Sequence, residues 1–487
     1  MKVVQSQIYS ILKSTFGFDE FRGVQKPVIE HIAAGHSALV VMPTGQGKSL
    51  CYQLPSQFLP GLTLVISPLI ALMKDQVDAV KKKGVKACFI NSSLSADERQ
   101  DRYNNLAASQ YDLVYVTPER FRKDEFRAAL LKNQISLLAV DEAHCISQWG
   151  HDFRPDYTRL GDIRKLLGDP PTLALTATAT PDVQADILTQ LHLPADETAV
   201  YVSGVERPNL EVEVHDVVGS DEKIRNIVAL RHHFPGPAIV YFSLISSLEA
   251  IAEPLAVLGL SPLIYHGQLP DRRRKQAQEQ FIDGANPLIL ATPAFGLGVD
   301  KPNVRLVVHA EVPGSVEAYY QEIGRAGRDG QPAGCVLMYD QDDVQIQLDF
   351  IKWANPDPEF IRRIYRLIET HGDRVRAGGL DYLREQMHFY HSRDFRVETS
   401  VNLLERWGAV ARTDDNRKHL SVCGELPEEY LQPDLFQARL KRQNEKLLEM
   451  VRFAQTPQCR MQFVYTYFGV PDAKPCGHCD NCRASSQ

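Results

Sequence analysis

Lys48 and Ser49 end a glycine-bearing segment, Pro43-Thr44-Gly45-Gln46-Gly47-Lys48-Ser49, that joins the apolar run Ala38–Met42 to a stretch of helical spacing. A turn of this composition leaves main-chain N–H groups free to cradle phosphate at the start of a helix, where the helix dipole also favours an anion. Thr44, Gly45, Gln46 and Gly47 then form the cradle, Lys48 reaches the outer phosphates and Ser49 ligates magnesium. ATP and magnesium are the cofactors this chemistry calls for.

About 90 residues further on, Asp141 and Glu142 open the tetrapeptide Asp-Glu-Ala-His after the apolar run Leu137–Val140. A carboxylate at the C-terminal end of a strand is placed to hold magnesium, and its neighbour to orient and deprotonate a water. Alone, the tetrapeptide reads equally well as a solvated acidic loop; its position behind a phosphate loop gives it chemistry. A third element, Gln321-Glu322-Ile323-Gly324-Arg325-Ala326-Gly327-Arg328, brings two arginines. Arg328 is the expected finger to the γ-phosphate, with Arg325 in support and Gln321 beside them. A finger of this kind can be worth about 10³–10⁵ in rate. Because it lies in a second domain, it makes hydrolysis depend on closure of a cleft.

Four of the nine cysteines, Cys459, Cys476, Cys479 and Cys482, crowd the C-terminal end, while Cys51, Cys88, Cys145, Cys335 and Cys423 are scattered. Without the apolar core of a secretion signal after Met1, crowding of this kind suggests a metal rather than disulfides.

These groups need elements to hold them. Near-continuous apolar runs at 38–42, 62–66, 113–116, 137–140 and 172–175 alternate with amphipathic stretches, the mark of a parallel sheet covered on both faces. The pattern restarts after Arg207-Pro208-Asn209, with runs at 238–242, 287–291, 304–308 and 334–338, so two successive α/β domains are expected, 1–205 and 206–350. Helical spacing at 360–368 and 397–406, then two short strands around Asp414-Asp415-Asn416, suggest a winged helix within 351–430. A charged helix over 435–454 leads into the cysteines, giving a last module at 431–487. No apolar run approaches the ~20 residues that span a bilayer. A hydrophobic share of 44% and a charged share of 24% are those of an ordinary globular chain retained in its compartment of synthesis, the bacterial cytoplasm by expectation. The net charge of −7 does not exclude nucleic acid, because phosphate is bound by local Lys, Arg and N–H groups.

With these elements assembled, the chain resembles superfamily-two helicases and, within them, the RecQ family. The likeness rests on Phe16-Gly17-Phe18 through Arg22 to Gln25, on Met42 to Pro55, on Ser67 to Val77, on Val116-Thr117-Pro118-Glu119-Arg120, on Leu175 to Ala179 and on Ala143 to Tyr157. In the second domain it rests on Tyr265-His266-Gly267 and on Ala291-Thr292 through Phe295 and Gly298 to Asp300. The resemblance implies two RecA-like motor domains. It implies that Phe18 stacks on the adenine while Arg22 and Gln25 contact it, and that Asp300 takes part in the nucleotide site. Ser67, Thr117, His266 and Thr292 would contact the tracked strand. Trp149, Phe153 and Arg154 would form an aromatic-rich loop coupling DNA contact to hydrolysis, chemistry suited to stacking on bases of any sequence.

The cysteine segment is similar to the RecQ zinc module, in which Cys459, Cys476, Cys479 and Cys482 would hold a structural zinc. Two Cys-x-x-Cys steps in series also suit an iron–sulfur cluster, and His478 could replace one ligand. The order departs from the family's usual pattern: about 100 residues with the winged helix precede Cys459, and the sequence stops five residues after Cys482. The resemblance implies a monomeric 3′-to-5′ DNA helicase acting on single-stranded and tailed duplex DNA in repair or recombination. An RNA helicase or duplex translocase, or an ATP-gated annealing module, are the other readings.

Overall fold

The computed structural model describes residues 2–43, 45–68, 70–147, 155–203, 207–296, 301–387, 394–412, 419–470 and 472–485. Thr44, Trp149, Phe153, Arg154 and Asp300 lie outside the described residues, as do Arg417 and Lys418, expected with Arg412 to offer phosphate contacts on the hairpin around 414–416. The chain divides into two compact units, one comprising 1–311, 315–339 and 453–487 and the other 312–314 and 340–452.

The first unit contains two parallel sheets. Seven strands, β1 (Ala38–Val41), β2 (Leu62–Ile66), β3 (Ala87–Ile90), β4 (Leu113–Val116), β5 (Ile135–Val140), β6 (Thr172–Thr176) and β7 (Ala199–Val202), form the first in the order β3-β4-β2-β5-β6-β1-β7. Six more, β8 (Leu210–Asp216), β9 (Ala238–Tyr241), β10 (Leu263–Tyr265), β11 (Leu288–Ala291), β12 (Leu306–His309) and β13 (Ala333–Tyr339), form the second in the order β10-β11-β9-β12-β13-β8. Every pairing in both sheets is parallel. This is the doubly wound α/β architecture expected from the alternating apolar runs, and its central strands are buried along their whole length. Full burial of each such Val, Leu or Ile is worth about 1.5–3 kcal/mol, and this burial holds the strand ends rigid.

Two of the edge strands, β7 and β8, follow a different pattern. β7 alternates half-buried Ala199 and Tyr201 with exposed Val200 and Val202. β8 alternates buried Leu210 and Val212 with Glu211, Glu213 and His215. Its free edge is covered by the cysteine module: Val214 N donates to Asp480 Oδ2 at 2.9 Å, and Arg483 pairs with Glu211 and Glu213. Covering an exposed sheet edge removes a template for pairing with other chains.

The second unit packs helices Pro358–Thr370, Gly372–Gln386 and Arg396–Arg406 on an antiparallel hairpin of β14 (Val410–Arg412) and β15 (Leu420–Val422). Asp357 accepts from Phe360 N at 2.9 Å and Pro358 opens the first helix, a favourable start. The middle helix kinks at Gly379, whose φ of 56° and ψ of −138° only glycine adopts readily. Ile364, Val375, Leu383, Val401, Leu404, Val410 and Leu420 share one core. The helices Pro358–Thr370 and Arg396–Arg406 and the hairpin after them lie where the spacing placed two helices and two short strands. Among the described residues no helix is long and apolar enough to cross a membrane.

Candidate nucleotide and strand-contact sites

Both sheets present their chemistry at the C-terminal ends of strands, where open parallel sheets bind ligands. In the first, β1 runs into the phosphate loop and β5 into Asp141, with β6 between them. Gly45 and Gly47 take φ of 86° and 78°, turning successive N–H groups inward ahead of the helix Leu50–Gln53. Lys48 Nζ is buried and, among the described residues, has no hydrogen-bond partner. Burial, reinforced by Glu142 and opposed by Lys48, pushes the Asp141 carboxyl up to about 6. Glu142 sits in the left-handed region at φ 48° and ψ 48°, a strained conformation for a non-glycine residue of the kind that collects at active sites. Its N–H donates to Asp141 Oδ1 at 3.0 Å, and its Oε2 lies 3.4 Å from His144 Nδ1.

Arg328 reaches this loop from the second sheet. A β-carbon at Gly45 would meet Arg328 Cγ at 3.3 Å, and a cleft of about 280 Å³ is lined by Arg22, Gly45, Gln46, Arg207 and Arg328. Arg325 is buried and donates to Gly296 O, so it braces the turn from inside. Gln321 lies on the helix Val316–Ile323 that leads into the turn. Phe18 is 44% exposed, with Lys83 Nζ over its ring at 5.2 Å from the centroid. Gln25 is fully engaged within the protein: Oε1 accepts from Arg22 N at 2.8 Å, and Nε2 donates to Gln46 O and Gly47 O at 2.9 and 3.1 Å. In this arrangement it braces the phosphate loop, and contact with a base requires it to exchange those bonds.

The residues expected to meet the strand occupy other positions on the same sheets. Ser67 and Thr117 follow the neighbouring strands β2 and β4; His266 and Thr292 follow the neighbouring strands β10 and β11. Each sheet therefore places the expected nucleotide elements on one half and the pair expected to meet the strand on the other. Ser67, Thr117 and His266 are buried, and Thr292 N donates to Tyr265 O at 3.1 Å. Flanking the aromatic-rich segment, Ser147 bonds to Asp186, Asp156 pairs with Arg122, and Tyr157 is fully buried.

Two site residues give no sequence signal. Arg207 and Asn209, legible only as the point where the strand pattern restarts, hydrogen-bond to the turn bearing Arg328. Nothing in their spacing from Arg328, more than 100 residues away, points to it.

The cysteines form a metal site. Their four Sγ atoms lie within 4.8 Å of one another, with Cys459 and Cys479 at 4.0 Å. Tetrahedral zinc with Zn–S bonds of ~2.3 Å sets its sulfurs about 3.8 Å apart, a close fit. An iron–sulfur cluster spreads its four thiolates over two or four irons and needs a wider set. The N–H groups of Cys476, Cys479 and Cys482 point at sulfurs at 3.1–3.4 Å. The hydrogen bond from the Cys476 thiol, with the Cys482 N–H, holds Cys479 down to about 4. His478 turns Nδ1 to Cys476 O at 2.6 Å and is not among the ligands.

Comparison with known proteins defines the class first. The chain matches the DEAD/DEAH box helicase family over residues 22–187, the helicase conserved C-terminal domain over 220–330 and the RecQ zinc-binding family over 430–483. It shares its fold with MrfA, a DUF1998 helicase solved bound to DNA and AMPPNP, at a TM-score of 0.57 and 18% identity over 86% of this chain and 62% of that one. It shares it also with Dbp5 of S. cerevisiae, solved bound to RNA and ADP BeF3, at 0.54 and 16% over 71% and 90%. Among curated proteins it is 36% identical to the ATP-dependent DNA helicase RecQ of Bacillus subtilis over 97% of this chain and 66% of that one. It is 35% identical to the probable ATP-dependent DNA helicase RecS of the same organism over 98% and 92%. With RecQ of Haemophilus influenzae the identity is 44% over 69% of this chain and 53% of the relative's length. The chain belongs to the RecQ family.

Proposed function

We propose that the chain is an ATP-driven DNA helicase that moves 3′ to 5′ along one strand of single-stranded or tailed duplex DNA, in repair or recombination. The observation that carries this reading is the approach of Arg328, on one sheet, to Gly45 of the phosphate loop on the other. Phosphate bound at Gly45–Lys48 meets both, so hydrolysis is tied to the closed arrangement of the two sheets. Lys48 neutralises the outer phosphates, Glu142 takes the proton of the attacking water, and Arg328 meets the charge that develops on the transferred phosphoryl group. Ser49 and Asp141 would hold magnesium, which supplies further charge neutralisation at the phosphates. On the opposite halves of the sheets, Ser67, Thr117, His266 and Thr292 grip strand phosphates, and closure alternates that grip between domains. Trp149, Phe153 and Arg154 report strand contact to the segment that begins at Asp141.

The four thiolates hold zinc in a structural role. On the hairpin of the second unit, Arg412 is engaged with Asn402 at 2.7 Å and Glu405 at 3.4 Å. We place the protein in the cytoplasm, acting as a monomer. The test is unwinding of duplexes with a 3′ or a 5′ single-stranded tail in ATP and magnesium, with Lys48→Ala as control. Opening of the 3′-tailed duplex alone is expected; DNA-stimulated hydrolysis with neither duplex opened would overturn the helicase reading in favour of a translocase.

A further inference from the structure

Arg207 lies on the segment that joins β7 of the first sheet to β8 of the second, and it is buried. Its guanidinium donates to Ala326 O at 2.6 Å, to Gly327 O at 3.2 Å and to Gly324 O at 3.5 Å. These carbonyls follow the C-terminal end of the helix Val316–Ile323, the negative end of its dipole. Asn209 Nδ2 donates to Gly327 O at 2.8 Å and to Gln331 O at 2.9 Å, and Asn209 O accepts from Ala333 N at 3.0 Å. Gly327 stands at φ 53°, and a β-carbon there would lie 2.4 Å from Asn209 Nδ2, so the glycine is what lets the amide approach. Between the two anchored stretches, 324–327 and 331–333, stands Arg328.

We infer that Arg207 and Asn209 are positioning residues for Arg328: the inter-sheet linker clasps both sides of the arginine turn and fixes where the guanidinium meets the phosphate loop. The linker must move whenever the two sheets change their spacing, and these bonds carry that movement into the turn. Misplacing a transition-state contact by about 1 Å can cost about 100-fold in rate, whereas ground-state ATP binding rests on the phosphate loop and tolerates the shift. This inference rests on the reading of Arg328 as the finger.

The experiment is a double-mutant cycle on the full chain with Asn209→Ala and Arg328→Ala, measuring kcat and KM for ATP at saturating single-stranded DNA, with ATP affinity measured separately. Asn209→Ala is expected to lower kcat by about 10- to 100-fold with ATP affinity within about twofold, and to cost almost nothing further once Arg328 is alanine. Arg207→Lys, which keeps the cation and loses the forked geometry, should show the same split. Independent, multiplicative effects of the two substitutions would overturn the inference, as would kcat and ATP affinity falling together. If Arg328→Ala itself leaves kcat unchanged, the finger reading falls and this one falls with it; if Arg328→Ala lowers kcat while Asn209→Ala does not, only the positioning role is lost.

Discussion

His144 Nδ1 lies 2.9 Å from Thr176 Oγ1, joining the end of β5 to the end of β6 across the floor of the nucleotide site. The Thr176 hydroxyl also donates to Thr178 O at 3.0 Å and accepts from Thr178 N at 3.2 Å. With the hydroxyl proton on Thr178 O, His144 is the donor, carrying its hydrogen on Nδ1. His144 Nε2 is then the acceptor facing Cys145 Sγ at 3.8 Å, consistent with that tautomer.

Thr176→Val keeps the shape and removes both functions of the hydroxyl, leaving buried groups unpaired. Stability should fall by about 1–3 kcal/mol, read as a lowered denaturant midpoint at constant slope, and Thr176→Ser should restore most of it. An unchanged midpoint would sink the network.

Glu142→Gln retains size and the unusual backbone but cannot take a proton. Turnover should drop by about 10²–10⁴ while ATP binding persists. Single-turnover hydrolysis beside a binding titration separates the two, and preserved turnover would assign the base elsewhere.

The raised carboxyl of Asp141 gives a pH dependence with a definite sign. Its neutral form is favoured until pH rises through about 6, and only the carboxylate binds magnesium. ATPase activity should therefore rise across that range. Higher magnesium, by competing with the proton, should shift the midpoint downward. Profiles at two magnesium concentrations test this; a midpoint indifferent to magnesium would remove Asp141 from the metal site.

Elemental analysis should find one zinc per chain and no iron. Four thiolates of this kind can supply on the order of 10 kcal/mol of folding free energy. A strong chelator, or Cys479→Ser, should therefore unfold the module and expose the β8 edge now covered through Asp480. Aggregation on chelation, reversed by zinc, is the expected readout. Unaltered melting after complete metal removal would contradict it.

How much of this was legible in the sequence depends on which force sets each feature. Strands buried on both faces, such as Leu62–Ile66 and Leu288–Ala291, are fixed by apolar content and stand out as runs. β8 escapes that search because half its residues face away from the core: Glu211, Glu213 and His215 interrupt the apolar positions, leaving the period-two alternation of an edge strand. The phosphate loop and the cysteines are local in sequence and could be read directly. The clasp from Asn209 to Gly327 spans 118 residues, and no local pattern encodes it. Gln25 shows the remaining gap: its residue type suits base recognition, yet the amide is spent on the phosphate loop in this arrangement, which only coordinates reveal.

The chain leaves the first unit after Tyr339 and re-enters it at Phe453, and there Gln455 Nε2 meets the Tyr339 hydroxyl at 3.1 Å. Departure and return thus share one doorway. Phe453 stacks beside Tyr319 with ring centroids at 4.9 Å, and the cysteine module seats on β8 as though the intervening residues were absent. Positions 339 and 455, far apart in sequence, are thus neighbours within the first unit. With Tyr339 and Gln455 in direct contact, a short bridge at that point would join the second sheet to the cysteine module without the long segment between them.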